Sequence, residues 1–280
     1  MLFHAKHTAV LLLGLVLVAV VAVACSEPST DGNSIRDLEE AIKLNPQDPD
    51  NYNKRGMLYH ELGQYNRAIT DFDEAIRLTN SPEIRAKNNF DDRENECYGA
   101  MLSNNKASVY RALGELVKAL QTAEGAVGIG INYKCDNEQR SIFHSNKGSI
   151  YNALGNPDSA HIELTDAIIL NPRNHAAYNA RGIAYQNMEE PWRDYDKAIE
   201  DFDKAIELSS QVSNYYYNRG NIHGANGQYE KAIEDLDKAI ELNSQDAYAY
   251  RARGLVYEKI GDIRAESDLA KAKELGYESE

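Results

Sequence analysis

The sequence predicts an all-α solenoid. The first observation is a phrase that returns roughly every 34 residues, the length of one helix-pair unit. It is a small residue, a large apolar residue four positions on, and Ala three further: Ala68, Phe72, Ala75; Ala160, Leu164, Ala167; Ala198, Phe202, Ala205; Ala232, Leu236, Ala239. The second is a partner phrase, seen as Tyr52, Arg55, Gly56, Tyr59, then Tyr178, Arg181, Gly182, Tyr185, then Tyr250, Arg253, Gly254, Tyr257. The third is punctuation. Leu-Gly at 62–63, 113–114 and 154–155, Asn-Gly at 226–227 and Ile-Gly at 260–261 mark helix ends. Asn-Pro at 45–46 and 171–172 stops a second helix, because Pro cannot continue one.

Each unit therefore reads as two helices. The first carries Gly where a neighbouring helix approaches closely. The second carries Ala three and seven positions apart on one face, which lets helices pack near each other while Tyr, Phe and Leu fill the grooves. These phrases resemble the tetratricopeptide repeat. The resemblance implies a right-handed superhelix of a half repeat plus six. The half repeat is 34–48, and the full units are 49–82, 100–133, 141–174, 175–212, 213–246 and 247–276. Unit two departs most, with Ser103 at an aromatic position and with Ala123 and Gly130 in the second helix. Unit six lacks one residue in its turn, so its second helix reads Ala265, Leu269, Ala272.

Three insertions interrupt the array. Segments 83–99 and 134–140 are polar and extend the following first helix toward its N-terminus, with Asp136 as a cap. The third lengthens the turn of unit four at 187–192 and holds the only Trp, Trp192. Two readings of Trp192 stay open: an anchor for a partner, or a staple that folds back near Tyr195.

The net charge is −14. Setting aside residues 1–24, which hold Lys6 and no acid, leaves 29 basic against 44 acidic residues. That balance excludes nucleic acid as a partner, since phosphate binding needs a basic face. Acid on second helices, at Asp71, Asp73, Glu74, Asp201, Asp203, Asp235 and Asp237, reads as a solvated convex surface. A Lys or Arg just before each Gly position (Arg55, Lys106, Lys147, Arg181, Arg219, Arg253) reads as repeat chemistry. Its stem packs along the pair and its head meets acid from the preceding second helix.

Residues 1–24 have a short basic start, an uncharged apolar stretch from 8 to 24 and small residues before Cys25, the pattern of a secretory signal peptide. Ala22-Val23-Ala24-Cys25 resembles the bacterial lipobox, which implies cleavage before Cys25, its lipidation, and an extracytoplasmic protein anchored in the cell envelope. A retained membrane anchor is the other reading of the same run, at the short edge of the spanning length. Segment 25–33 reads as a flexible tether. With Cys25 lipidated, Cys97 and Cys135 remain as a pair in an oxidising compartment, open either to a disulfide or to two separate thiols.

No catalytic constellation, metal-ligand spacing or cofactor motif stands out, so the chain reads as a binding protein rather than an enzyme. The repeat resemblance implies that the first helices line a concave groove. Carried over position by position, its residues include Asn53, Met57, Asn104, Arg111, Asn152, Asn179, Gln186, Tyr217, Asn221, Tyr248 and Arg251. An Asn row can donate and accept along the backbone of an extended peptide. The Lys and Arg of the family's carboxylate clamp are not at their set positions. The expected role is a membrane-tethered scaffold that holds a protein or extended peptide. A receptor for peptide or glycan and a pilotin-like subunit of a secretion or pilus system are the alternatives.

Overall fold

The computed structural model describes residues 34–88, 91–190 and 193–277. Among these residues there are fourteen helices and no strand. The order is α1 (Ile35–Leu44), α2 (Pro49–Glu61), α3 (Tyr65–Thr79), α4 (Pro82–Asn88), α5 (Asp92–Ala112), α6 (Leu116–Asn132) and α7 (Asn137–Ala153). Then follow α8 (Pro157–Leu170), α9 (His175–Asn187), α10 (Tyr195–Leu208), α11 (Ser213–Ala225), α12 (Tyr229–Leu242), α13 (Ala247–Ile260) and α14 (Arg264–Glu274). Six pairs stack in sequence: α2/α3, α5/α6, α7/α8, α9/α10, α11/α12 and α13/α14. First helices of successive units also touch, as α5 with α7 and α7 with α9. Residues 1–33, with Cys25 and the apolar stretch, lie outside the described residues, as does Trp192.

Local chemistry sets the helix ends. Asp48 caps α2 and Asp91 caps α5 by accepting from the Asp50 and Glu94 amides. Asp136 caps α7 through the Gln139 amide at 2.8 Å, as its sequence position suggests. Five first helices turn on a glycine (63, 114, 155, 227, 261) with φ between +69° and +77°, a conformation that strains any side chain. Unit four has no such glycine. Its first helix ends instead on Met188 in an extended conformation, whose carbonyl accepts from Arg193 Nε.

The repeating small residues lie where two helices press together. Ala68, Ala75, Ala160, Ala167, Ala198, Ala205, Ala232 and Ala239 are fully buried. A Cβ on Gly182 would stand 2.7 Å from Phe202 Cε1, and the same atom on Gly148 would stand 2.5 Å from Leu164 Cγ. Overpacking such sites is costly. Ala239→Leu is expected to lower stability by roughly 1–3 kcal/mol. An unchanged midpoint in a thermal melt would show that Ala239 is not at a close contact.

The first insertion does two things. It forms the short helix α4, which its polar composition did not announce, and it lets α5 begin at Asp92, well before the expected unit start at Ala100. The extended part of α5 carries Cys97 beside Cys135, which precedes α7. The two stand in disulfide geometry with Cα atoms 5.6 Å apart.

Candidate functional site: the first-helix face

The first helices place their Asn residues between units more than toward a ligand. Asn53 and Asn104 are buried. Asn105 Nδ2 donates to Asn53 Oδ1 at 3.2 Å. Asn146 Nδ2 donates to both the carbonyl and Oδ1 of Asn104, at 3.1 and 3.0 Å. Asn218 Nδ2 donates to Asn179 Oδ1 at 2.9 Å. One rule generates all three: the fifth residue of a unit accepts from the sixth residue of the next. The Asn row is thus a set of staples between neighbouring repeats. That corrects the expectation of a free ladder at Asn53, Asn104 and Asn179. At the joint of units three and four the pair is Ser145 and Ala180, and Asn152 Nδ2 donates to the Ala180 carbonyl instead, at 2.8 Å.

The remaining positions on this face differ among themselves. Met57 and Tyr248 are exposed, at 45% and 44%, and Ile142 joins them at 46%. Gln186 and Asn221 are half-buried. Tyr217 packs against Ala232, Leu236, Ala252 and Val256. Tyr277, beyond the last helix, folds back onto unit six. Its ring lies edge-on to Tyr248 and under the Arg251 guanidinium, 4.8 Å from carbon to ring centre.

The repeated cation accounts for six of the seven second-helix acids singled out from the sequence, all but Glu74. Arg55, Arg181, Arg219 and Arg253 each fork onto one carboxylate of their own unit's second helix: Asp71, Asp201, Asp235 and Asp268. Those four acids are buried. Sequence alone had assigned Asp71, Asp201 and Asp235 to a solvated surface. The remaining guanidinium nitrogen of Arg219 and Arg253 reaches back to Asp203 and Asp237 of the preceding unit, both at 2.5 Å. Lys106 reaches back to Asp73. The preceding helix is therefore the second partner and the unit's own helix the first. Unit six keeps the fork despite its missing residue.

Unit three uses a different set. Lys147 Nζ and His144 Nδ1 both contact Glu163, each at 2.8 Å. Burial alone would push the Glu163 carboxyl up, but the hydrogen bonds from His144 and Lys147 outweigh it and hold the group below its ordinary 4.5. The folded value is therefore below the unfolded one. The stability it adds is complete above pH about 4.5 and is lost as pH falls through the lower folded value. Glu163→Gln is expected to be less stable near neutral pH and to lose less on acidification. Parallel acid limbs in urea titrations of the two proteins would contradict this.

A hollow of about 790 Å³ opens at the N-terminal ends of α2 and α5, beside Cys97 and Cys135. Of its five acids, Asp48, Asp91 and Asp136 are the caps already described, and Asp50 and Glu94 are the other two. Tyr98 hydroxyl donates to Asp50 at 3.4 Å, and burial, with Asp50 beside it, pushes its ionisation far above the ordinary range. No helix of the described residues is long and apolar enough to cross a membrane.

Comparison with known proteins matches this geometry. Family models described as "Tetratricopeptide repeat" match residues 38–70, 146–213 and 202–234, and one described as "TPR repeat" matches 220–261. A "Lipoprotein NlpI homolog" of Haemophilus influenzae is 36% identical over 87 residues, covering 31% of this chain and 26% of that protein. "Tetratricopeptide repeat protein 16" of Macaca fascicularis is 24% identical over 198 residues, covering 67% of this chain and 20% of that protein. The chain thus spans about a quarter or less of the length of both curated relatives. Among solved structures, the APC/C hetero-tetramer Cut9-Hcn1 aligns with a TM-score of 0.69 at 17% identity, over 88% of this chain and 43% of that one. A tetratricopeptide repeat protein from Parabacteroides merdae aligns with a TM-score of 0.57 at 20% identity, over 88% of this chain and 86% of that one. At these identities the two structures speak to the fold alone. The family-model matches together cover more than half of the chain, and they fall on the stacked helix pairs: the chain belongs to the tetratricopeptide repeat family.

Proposed function

We propose that the protein is a scaffold that holds a protein or an extended peptide along its first-helix face while Cys25 tethers it to a membrane. The observation that carries the binding half is the exposure of Met57, Ile142 and Tyr248 on that face. Large apolar side chains left open at separate points along the face, in units one, three and six, offer anchor sites for a partner. The role proposed for this face is binding. The tether rests on Ala22-Val23-Ala24-Cys25 after an apolar stretch, and on the partial likeness to a lipoprotein. Several acyl chains would make the attachment stable where one is marginal.

Both halves are tested on protein extracted from membranes. Intact mass should show cleavage before Cys25 and added acyl mass, and Cys25→Ser should release the chain from the membrane fraction. Residues 1–24 still attached would overturn the tether. Partners pulled down from solubilised membranes should be lost on Met57→Glu. Capture unchanged by Met57→Glu would place the partner elsewhere.

A further inference from the structure

One cation on the first-helix face is unlike the others. The cations that precede the Gly position each have a carboxylate, whereas Arg111 is in no ion pair among the described residues, and its Nε is buried without a hydrogen-bond partner. Burial pulls its ionisation down, and no carboxylate opposes that pull. By contrast, Arg181, buried on its own first helix, is held up by Asp201 against the same burial. An uncompensated buried charge is costly to keep. In a chain of net charge −14, acid to neutralise it was abundant.

Its neighbours repeat the theme. Arg111, Asn152 and His60 occupy the same twelfth position of units two, three and one, on first helices that pack side by side. Asn152 spends its Nδ2 on the Ala180 carbonyl, and its Oδ1 is buried with no partner. His60 is close enough that, after burial, the Arg111 charge is what lowers its ionisation. Arg140 also has an unpartnered Nε, but it lies at the start of α7 against Gly130, away from this row. So one row on the binding face presents a cation without an anion and, in the next unit, an acceptor without a donor.

We propose that this row in units two and three is a subsite for a carboxylate-bearing extended peptide, with Arg111 taking the carboxylate and Asn152 Oδ1 accepting a peptide N–H. The assignment rests on the peptide-binding reading of the first-helix face. A free phosphate fits less well, because Oδ1 would face it acceptor to acceptor. A peptide supplies both groups at once. The carboxylate is either an acidic side chain or a C-terminus, and the guanidinium recognises both in the same way.

The test uses the full chain in detergent and four fluorescein-labelled nonapeptides. Their central residue is Glu or Gln, and each has a free or an amidated C-terminus. By anisotropy, a carboxylate at one of the two places should tighten binding about tenfold or more, the scale of a charge-assisted hydrogen bond. Arg111→Gln should erase that gain and leave the amidated Gln peptide unaffected, and Asn152→Leu should weaken every peptide. A gain with central Glu assigns the side chain, and a gain with the free terminus assigns the C-terminus. The thermal midpoint of Arg111→Gln should be equal to or above that of the parent, since an unpaired buried charge is removed. A lower midpoint with unchanged binding would make Arg111 structural and overturn the proposal. Peptides that bind in a manner sensitive to Met57→Glu but indifferent to carboxylates would overturn the subsite and leave the groove standing. If no peptide binds, both fall.

Discussion

Reducing the Cys97–Cys135 bridge, or replacing Cys97 by Ser, is expected to cost the array about 4 kcal/mol. The two residues are 38 apart in sequence, and a cross-link that closes a loop of that length removes about this much chain entropy from the unfolded state. The Cα separation of 5.6 Å lets the bridge form without displacing either helix. In a solenoid each unit touches only its neighbours, so the loss should be felt first in units two and three. Urea unfolding with and without a thiol reductant measures it, and non-reducing peptide mapping should recover the linked pair. Coincident unfolding curves, or two freely alkylated thiols in protein from an oxidising compartment, would contradict the pairing.

Asp201→Ala is expected to cost about 3 kcal/mol, at the low end for breaking a buried ion pair. The Asp201 side chain is 8% exposed and takes both Nε and Nη2 of Arg181. Without it, Arg181 keeps only a 3.3 Å hydrogen bond to Thr165 Oγ1. Asp203→Ala, two residues away, should cost no more than about 1 kcal/mol, because its carboxylate is half-exposed and water replaces the lost pair. The comparison decides whether the fork carries the stability. Equal losses at 201 and 203 in chemical denaturation would mean that it does not.

The units were legible because their signals are local. A Gly turn, an Ala face and an Asp cap each act within one helix or one turn, and Asp136 was readable for that reason. The partner of a side chain on another helix was not. Arg55 and Asp71 are sixteen positions apart, so neither helix taken singly shows that the acid is buried. A charge on an amphipathic helix reads as solvated until the facing cation is placed. The Asn staples hide in the same way. Asn53 meets Asn105 only once two units are stacked. Helix α4 was missed because its seven residues hold a single large apolar side chain, Ile84, which is too few to show a period. Arg111 could be placed on a first helix from its register, but its lack of an acid could be seen only with every neighbour in place.

Among the described residues, the joint between units three and four has neither an Asn pair nor a cation reaching back to a carboxylate, whereas each other joint has at least one of the two. Ser145 and Ala180 stand where an Asn pair would be, and Arg181 reaches a hydroxyl of the preceding unit where Arg219 and Arg253 reach carboxylates. What fills the interface is a patch of mostly methyl groups: Ala160, Leu164, Ala167, Ala177, Ala180 and Ala184. Three hydrogen bonds cross it as well: Asn152 Nδ2 to the Ala180 carbonyl, Arg181 Nη1 to Thr165 Oγ1, and His161 Nε2 with the Tyr185 hydroxyl. Among the described residues no ion pair crosses this joint, so added salt, which screens the reach-back pairs of the joints that have them, should leave it unweakened.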